Sequence, residues 1–90
     1  MVRELMWTEE NEDHIWSRHE ILPDEVEQVV NTRPRWVTKG TANTELIYGT
    51  TAAGRYLLVV LSEAADGRDY VITARDMNDD ERRTFRRKAR

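Results

Sequence analysis

Tyr56-Leu57-Leu58-Val59-Val60-Leu61 is the longest apolar run in the sequence. An apolar run without alternation is typical of a strand that is covered on both faces, so it predicts a central β-strand from Arg55 to Ser62. Short loops that end in glycine stand on either side of it, at Thr51 to Gly54 and at Ala64 to Gly67. Because loops of this kind join antiparallel neighbours, they predict a strand before and a strand after the central one.

The remaining elements are placed outward from this strand. Alternating or apolar runs predict further strands over residues 35–38, 44–50 and 69–75, and a short opening strand from Leu5 to Trp7. Two helices are predicted before Pro34, one over residues 8–19 and one that restarts at Leu22-Pro23. A closing helix begins at Asn78 or Asp79. The order β-α-α-β-β-β-β-α predicts a single α+β domain over residues 1–90, a two-layer fold with helices packed on an antiparallel sheet.

Size and composition restrict the class of protein. A chain of 90 residues with 39% hydrophobic residues has room for one core. Because it has no cysteine, disulfides and thiolate metal sites are excluded, and a reducing compartment is expected. The first residues lack the long apolar region of a secretion signal, and no run is long enough to span a bilayer. We therefore expect a cytoplasmic protein with no membrane contact.

The net charge of −3 hides a strong polarity along the chain. Residues 1–32 contain nine acids against only Arg3 and Arg18, whereas the last ten residues contain six bases against Glu81 alone. The basic segment has two open interpretations. It is either a solvated helix face that pairs with the acidic N-terminal half, or a surface that attracts phosphates.

Few residues can carry chemistry. Phosphate-loop, dinucleotide-binding and nucleophile-elbow motifs are absent from the sequence, so no cofactor is expected. His14 and His19 are the only histidines, and a spacing of five puts them about 140° apart on a helix, which argues against a shared metal. Each histidine can transfer a proton near neutral pH, although a structural histidine bonded to a backbone carbonyl is the alternative.

Arginines at strand ends are the better candidates for contact with a phosphate. Arg55 opens the central strand and Arg75 closes the last one, and a guanidinium group can stabilise the charge of a pentacovalent phosphate. Strand alternation predicts that Tyr70 and Arg75 point to opposite faces. Tyr48 and Tyr56 can either stack on bases or pack within the protein.

Several spaced motifs resemble one family. They are Trp7 with His19, His14-Ile15, Arg18-His19, Pro23-Asp24-Glu25-Val26-Glu27-Gln28-Val29, Gly49-Thr50, Gly54-Arg55-Tyr56-Leu57, and Val71-Ile72-Thr73-Ala74-Arg75-Asp76-Met77 followed by Glu81-Arg82-Arg83. Over nearly the whole chain this pattern resembles the BrnT family of bacterial type II toxins, which are similar to RelE-type ribonucleases. The sequence departs from the family at Asn11, Glu20 and Thr44, where many members have lysine, glycine and a nearby arginine.

The resemblance implies a RelE-like fold and a bacterial toxin that inhibits translation by metal-independent cleavage of mRNA. It also implies a BrnA-like antitoxin, expected to be a ribbon-helix-helix protein. Contact of the toxin with operator DNA is expected only through this antitoxin. The predicted catalytic residues are His19, Arg55, Arg75 and His14. The predicted RNA-binding residues are Arg68, Arg82, Arg83 and Arg86. The alternative is a catalytically degenerate RelE-like module that only binds an antitoxin or another protein.

Overall fold

The computed structural model describes residues 3–63 and 66–90, and its elements follow the predicted order. The strands are β1 (Leu5–Met6), β2 (Arg35–Lys39), β3 (Thr44–Thr50), β4 (Tyr56–Glu63) and β5 (Asp69–Asp76). The helices are α1 (Glu9–His19), α2 (Pro23–Asn31) and α3 (Asp79–Lys88). The first two residues lie outside the described ranges, and so do Ala64 and Ala65 of the predicted loop at Ala64 to Gly67. Within the described part, the helices are too short or too polar to cross a membrane.

All five strands form one sheet in the order β1-β5-β4-β3-β2, so the apolar run does occupy the central strand. β2 to β5 pair antiparallel with their neighbours. β1 differs from the prediction because it pairs parallel to β5, through Leu5 with Asp69 and Met6 with Tyr70. Most of the chain separates these two strands, so no hairpin imposes an antiparallel direction on β1.

Helices cover both faces of the sheet. On one face, Leu57, Val59 and Leu61 of β4 are buried under α1 and α2. The helices contribute buried side chains at Ile15, Val26, Val29 and Val30. On the other face, Leu58 packs with Phe85 of α3 in a smaller cluster. The α+β class and the element order are as predicted, but the closing helix adds a third layer, because its Phe85 covers the face that α1 and α2 leave open.

Gly49 of β3 explains how closely α2 approaches the sheet. A Cβ added at Gly49 would lie 3.1 Å from Val29 Cγ1 and 3.2 Å from the Val29 carbonyl oxygen. A larger residue would therefore push α2 away from β3. Trp7 packs at the border of the same core, where it is partly buried, as expected from its position between the opening strand and the helix cap.

An irregularity in β5 changes which side chains share a face. Val60 of β4 pairs with Thr73, but Leu61 pairs with Val71, so Ile72 is an extra residue in the ladder. Such a bulge resets the alternation of side chains. Tyr70 and Arg75 consequently lie on the same face, and the prediction of opposite faces is wrong.

The two ends of α1 are stabilised in different ways. Thr8 caps the start, with its hydroxyl accepting a hydrogen bond from Asn11 N at 3.1 Å. Glu20 is the C-cap residue of α1, and its backbone is in the left-handed region with φ of 52° and ψ of 44°. Its N–H donates to the Trp16 carbonyl. Glycine adopts this conformation without the steric cost that a side chain brings. The side chain of Asn11 also holds the bulged strand, because its amide donates to the Val71 carbonyl at 2.8 Å.

Candidate active site

Arg75 lies near the end of β5 on the face covered by α3, opposite Leu58 of β4. Its Nη1 donates to Glu81 Oε1 at 2.7 Å and to the Asp76 carbonyl at 3.1 Å, and its Nη2 donates to Glu81 Oε2 at 2.8 Å. Its Nε–H and the second Nη2–H have no acceptor among the described residues. The side chain is 41% exposed. Arg75 therefore presents one complete edge of the guanidinium, two parallel donors, to whatever approaches this face.

Glu81 holds Arg75 in this orientation from the first turn of α3. Its carboxylate also accepts from Asn78 N at 2.9 Å, while Asn78 Oδ1 accepts from Glu81 N at 2.9 Å, which forms a capping box. The hydrogen bond from Arg75 lowers the pKa of Glu81 although burial opposes the shift, and Glu81 in turn raises the pKa of Arg75. Both groups are charged at neutral pH, and the Glu81 carboxylate bonds to Arg75 and to the Asn78 amide at the same time.

Tyr48 of β3 borders this ion pair. Burial raises the pKa of the Tyr48 hydroxyl, the charge of Glu81 raises it further, and Arg75 opposes the shift. The ring stacks on Trp36 of β2 with centroids 4.5 Å apart and planes 19° from parallel. Tyr48 is thus a protonated phenol beside Arg75 at neutral pH, and packing accounts for its ring.

The predicted RNA-binding arginines of α3 divide between two sides of the helix. The guanidinium carbons of Arg82 and Arg86 lie 4.7 Å and 5.5 Å from the centroid of the Tyr56 ring. Arg83 instead pairs with Asp80 on the exposed side of the helix. Arg82 and Arg86 therefore extend the cationic surface that contains Arg75, whereas Arg83 points away from it. We call this surface the α3 face: Arg75, Arg82, Arg86, Tyr48 and Tyr56.

Arg55, just before β4, is enclosed by protein acceptors on the opposite side of the sheet. Its Nε donates to Asp76 Oδ1 at 3.0 Å, its Nη1 to the Glu20 carbonyl at 2.9 Å, and its Nη2 to the His19 carbonyl at 2.8 Å. Longer contacts join Nη1 to Glu25 at 3.4 Å and Nη2 to Asp76 at 3.3 Å. All five N–H groups have an acceptor. Arg55 therefore caps the C-terminal end of α1 by bonding its last carbonyl groups.

The histidines are separated from Arg75 by the sheet. His14 and His19 lie on α1, with ring centroids 6.2 Å apart in an edge-on arrangement. In the described part of the chain no hydrogen bond joins either ring to an arginine, and the hydrogen bond between Arg55 and His19 is made by the His19 backbone carbonyl. No group of three or more potential metal ligands occurs in the described ranges. The predicted proton-transfer roles of the two histidines stay predictions.

Arg68 lies at the far end of β5. It is paired with Asp66 in the turn before the strand, at 3.4 Å. Seven residues separate Arg68 from Arg75, about 23 Å in an extended strand. The structure therefore does not bring Arg68 to the α3 face.

The charges of the two helical layers are segregated by the sheet. α1 and α2 contain most of the acids of residues 1–32, whereas the bases of the last ten residues lie on and just after α3, across the sheet. Among the described residues, no ion pair joins a base of α3 to an acid of α1 or α2. The interpretation in which these two charged segments neutralise each other is wrong.

Asp76 is a site residue that sequence analysis missed. Its carboxylate accepts from Arg55 and its carbonyl accepts from Arg75, so one residue joins the two sides at the end of β5. Its position directly after Arg75 was the available signal, because consecutive strand residues point to opposite faces.

Neither a family model nor a curated protein matches the sequence. The structure is similar to the crystal structure of the Brucella abortus ribonuclease toxin BrnT, with a TM-score of 0.69 and 15% sequence identity. The similarity covers 84% of this chain and 97% of the Brucella chain. The chain therefore has the BrnT fold, which confirms the fold that the sequence resemblance implies.

Proposed function

We propose that the protein is the toxin of a type II toxin–antitoxin system, a cytoplasmic endoribonuclease that cleaves mRNA without a metal and so inhibits translation. The similar structure is that of a ribonuclease toxin. The α3 face offers the cations Arg75, Arg82 and Arg86, and cations of this kind bind the phosphates of RNA. A BrnA-like antitoxin would be its protein partner and would connect it to operator DNA.

The open edge of Arg75 is the observation that carries this proposal. In cleavage by the RNA's own 2′-hydroxyl, negative charge builds up on the non-bridging oxygens of the phosphate. Two parallel N–H donors match two of those oxygens. The Glu81 carboxylate fixes the guanidinium in advance, so little reorganisation is needed when the charge develops.

The test is incubation of the purified protein with total RNA in EDTA, together with induction of the gene in a bacterial host. Cleavage in EDTA and growth arrest are expected. RNA that stays intact in EDTA together with normal growth on induction would contradict the proposal.

Proton transfer is assigned separately. We propose His19, with His14 next in order, as the proton-transfer group. Because such a group must lie within hydrogen-bonding reach of its substrate and both histidines lie across the sheet from Arg75, this role requires RNA to bind beside α1 and is an alternative to chemistry at Arg75. In that case His19→Gln or His14→Gln should lower the cleavage rate by a factor on the order of 10². An unchanged cleavage rate in both variants would exclude the histidines and leave the chemistry to the α3 face.

A binding module without catalysis is the second candidate. The enclosure of Arg55 and the separation of the histidines from Arg75 favour it, because three of the four predicted catalytic side chains do not reach the α3 face. A stable complex with the neighbouring gene product, without RNA cleavage or growth arrest, would identify this function.

A further inference from the structure

Within residues 3–63 and 66–90, β2 has β3 as its one neighbouring strand, so its outer edge is an open end of the described sheet. Arg35 shows which backbone groups point outward. Its N–H donates to the Arg90 carbonyl at 3.2 Å and its carbonyl accepts from Arg90 N at 3.1 Å. Because such groups alternate along a strand, those of Val37 and Lys39 also point outward, and they have no backbone partner in the described part of the chain. The single pair with Arg90 already shows the antiparallel hydrogen-bond pattern that an added strand would take over from Arg90.

The side chains at this edge are cationic around an apolar centre. A shallow depression of about 420 Å³ is lined by Arg33, Arg35, Trp36, Val37, Lys88 and Arg90. Val37 is 42% exposed. Among the described residues, none of the four cations in this depression, nor Lys39 at the end of the strand, forms an ion pair. Lys88 lies over the Trp36 ring, 5.7 Å from its centroid, and the charges of the other cations are not neutralised by an ion pair within this part of the structure.

A second copy of the chain does not suit this edge. If two β2 strands paired antiparallel about Val37, Arg35 of each copy would lie opposite Lys39 of the other. Like charges directly opposite each other destabilise strand pairing. Cations of this kind protect an open edge from self-association, but they attract an acidic strand.

We propose that the outer edge of β2 binds an extended segment of a partner protein in which acidic and apolar side chains alternate. Side chains directly opposite on neighbouring strands share a face, so the partner replaces Arg90 beside Arg35 and places an acid opposite Arg35, an apolar residue opposite Val37 and an acid opposite Lys39. The backbone groups of Val37 and Lys39 supply hydrogen bonds that do not depend on the partner's sequence. The acids supply the specificity.

The probe is a synthetic peptide, Thr-Glu-Thr-Val-Thr-Glu-Thr, titrated into the isotope-labelled full chain while amide shifts are followed by NMR. Shifts centred on Val37 and Lys39 are expected. N-methylation of the two glutamates and the valine removes the donors that face β2, and should weaken binding about tenfold. Replacing both glutamates by lysine should weaken it by at least as much, and salt should weaken binding of the original peptide.

Protein variants locate the site independently. Val37→Pro removes an outward N–H, a change that an edge strand tolerates, and should weaken binding about tenfold. If this variant is unfolded by circular dichroism, the double variant Arg35→Glu, Lys39→Glu replaces it. Thr38→Ser is the matched control, because its backbone groups point towards β3. Equal binding of the N-methylated peptide, shifts away from β2, or binding of an oligouridine RNA but not the peptide at this edge would overturn the proposal.

Discussion

Arg55 and Arg75 are the same residue type at the same end of the sheet, but their surroundings differ. Arg55 is enclosed, because two backbone carbonyls and two carboxylates accept its five N–H groups. Arg75 is half open, because one carboxylate and one carbonyl leave an exposed edge. An enclosed guanidinium joins elements of the fold, whereas an open one can bind an oxyanion. The number of acceptors already present therefore separates an arginine whose N–H groups are all used within the fold from one that still has N–H groups to offer a ligand.

Removal of the open guanidinium should have the largest effect. We expect Arg75→Ala to reduce RNA cleavage by a factor on the order of 10² to 10³, the usual cost of losing a donor to the transition state. Thermal unfolding should show an intact fold. Arg83→Ala is the matched control, because Arg83 is exposed on the other side of α3. An Arg75→Ala variant that cleaves at the normal rate would show that the open guanidinium of Arg75 is not needed for cleavage.

Removal of the enclosed guanidinium should instead lower stability. Arg55→Met keeps the aliphatic stem but leaves the carbonyls of His19 and Glu20 and the carboxylate of Asp76 without their donors. We expect a loss of about 2–3 kcal/mol in the free energy of unfolding, measured with urea. Arg68→Met, which removes an exposed ion pair, should change it by less than about 0.5 kcal/mol. A stable but inactive Arg55→Met would mean that the enclosed arginine is also functional.

The ion pair that orients Arg75 should contribute a pH-dependent stability. The pKa of Glu81 is lowered in the fold from its ordinary value of 4.5. Its contribution is therefore present above about pH 4.5 and is lost as the pH falls through the lowered pKa. Because Arg75 is partly exposed, we expect Glu81→Gln to cost only about 1 kcal/mol at pH 7. The cost of Glu81→Gln is the difference in the free energy of unfolding between the two proteins, measured with urea at pH 7 and again below pH 4. A cost that persists in acid would show that the carboxylate charge is not its origin.

The smallest effect concerns the helix end that Arg55 closes. Glu20→Gly relieves a left-handed conformation that is costly for a residue with a side chain, while glycine adds entropy to the unfolded chain. We expect a net gain of roughly 0.5 kcal/mol in the free energy of unfolding. Glu27→Gly, in the middle of α2, should have the opposite sign. A loss of stability in Glu20→Gly would show that the Glu20 side chain matters more than its backbone.

Local signals predicted the elements well. β3 has the predicted bounds, β2 and β5 each run one residue longer than predicted, and β4 is shifted by one residue at both ends. Arg55 was predicted as the first residue of the central strand but lies just before β4, because its carbonyl accepts from Thr51 N and its N–H donates to the Thr51 hydroxyl, which closes the hairpin loop. Turn residues and apolar runs encode such features within a few positions of the chain.

Features that depend on distant pairing were not predictable in the same way. The parallel direction of β1 is set by contacts between residues more than sixty positions apart. The bulge at Ile72 depends on the register between β4 and β5, and it moved Tyr70 to the face of Arg75. The sequence identified both arginines as candidates. It did not reveal that His19 and Glu20 provide the carbonyls that occupy Arg55, because that requires α1 to end beside β4.

The segregation of charge across the sheet has a consequence for encounters in solution. With an acidic layer of two helices on one side and a basic helix on the other, the molecule has an electric dipole that runs through its thickness. In the proposed function, the field of an RNA strand would exert a torque on this dipole before contact and turn α3 towards the strand. The acidic layer would then take part in recognition without touching RNA, because it would make the wrong orientation repulsive.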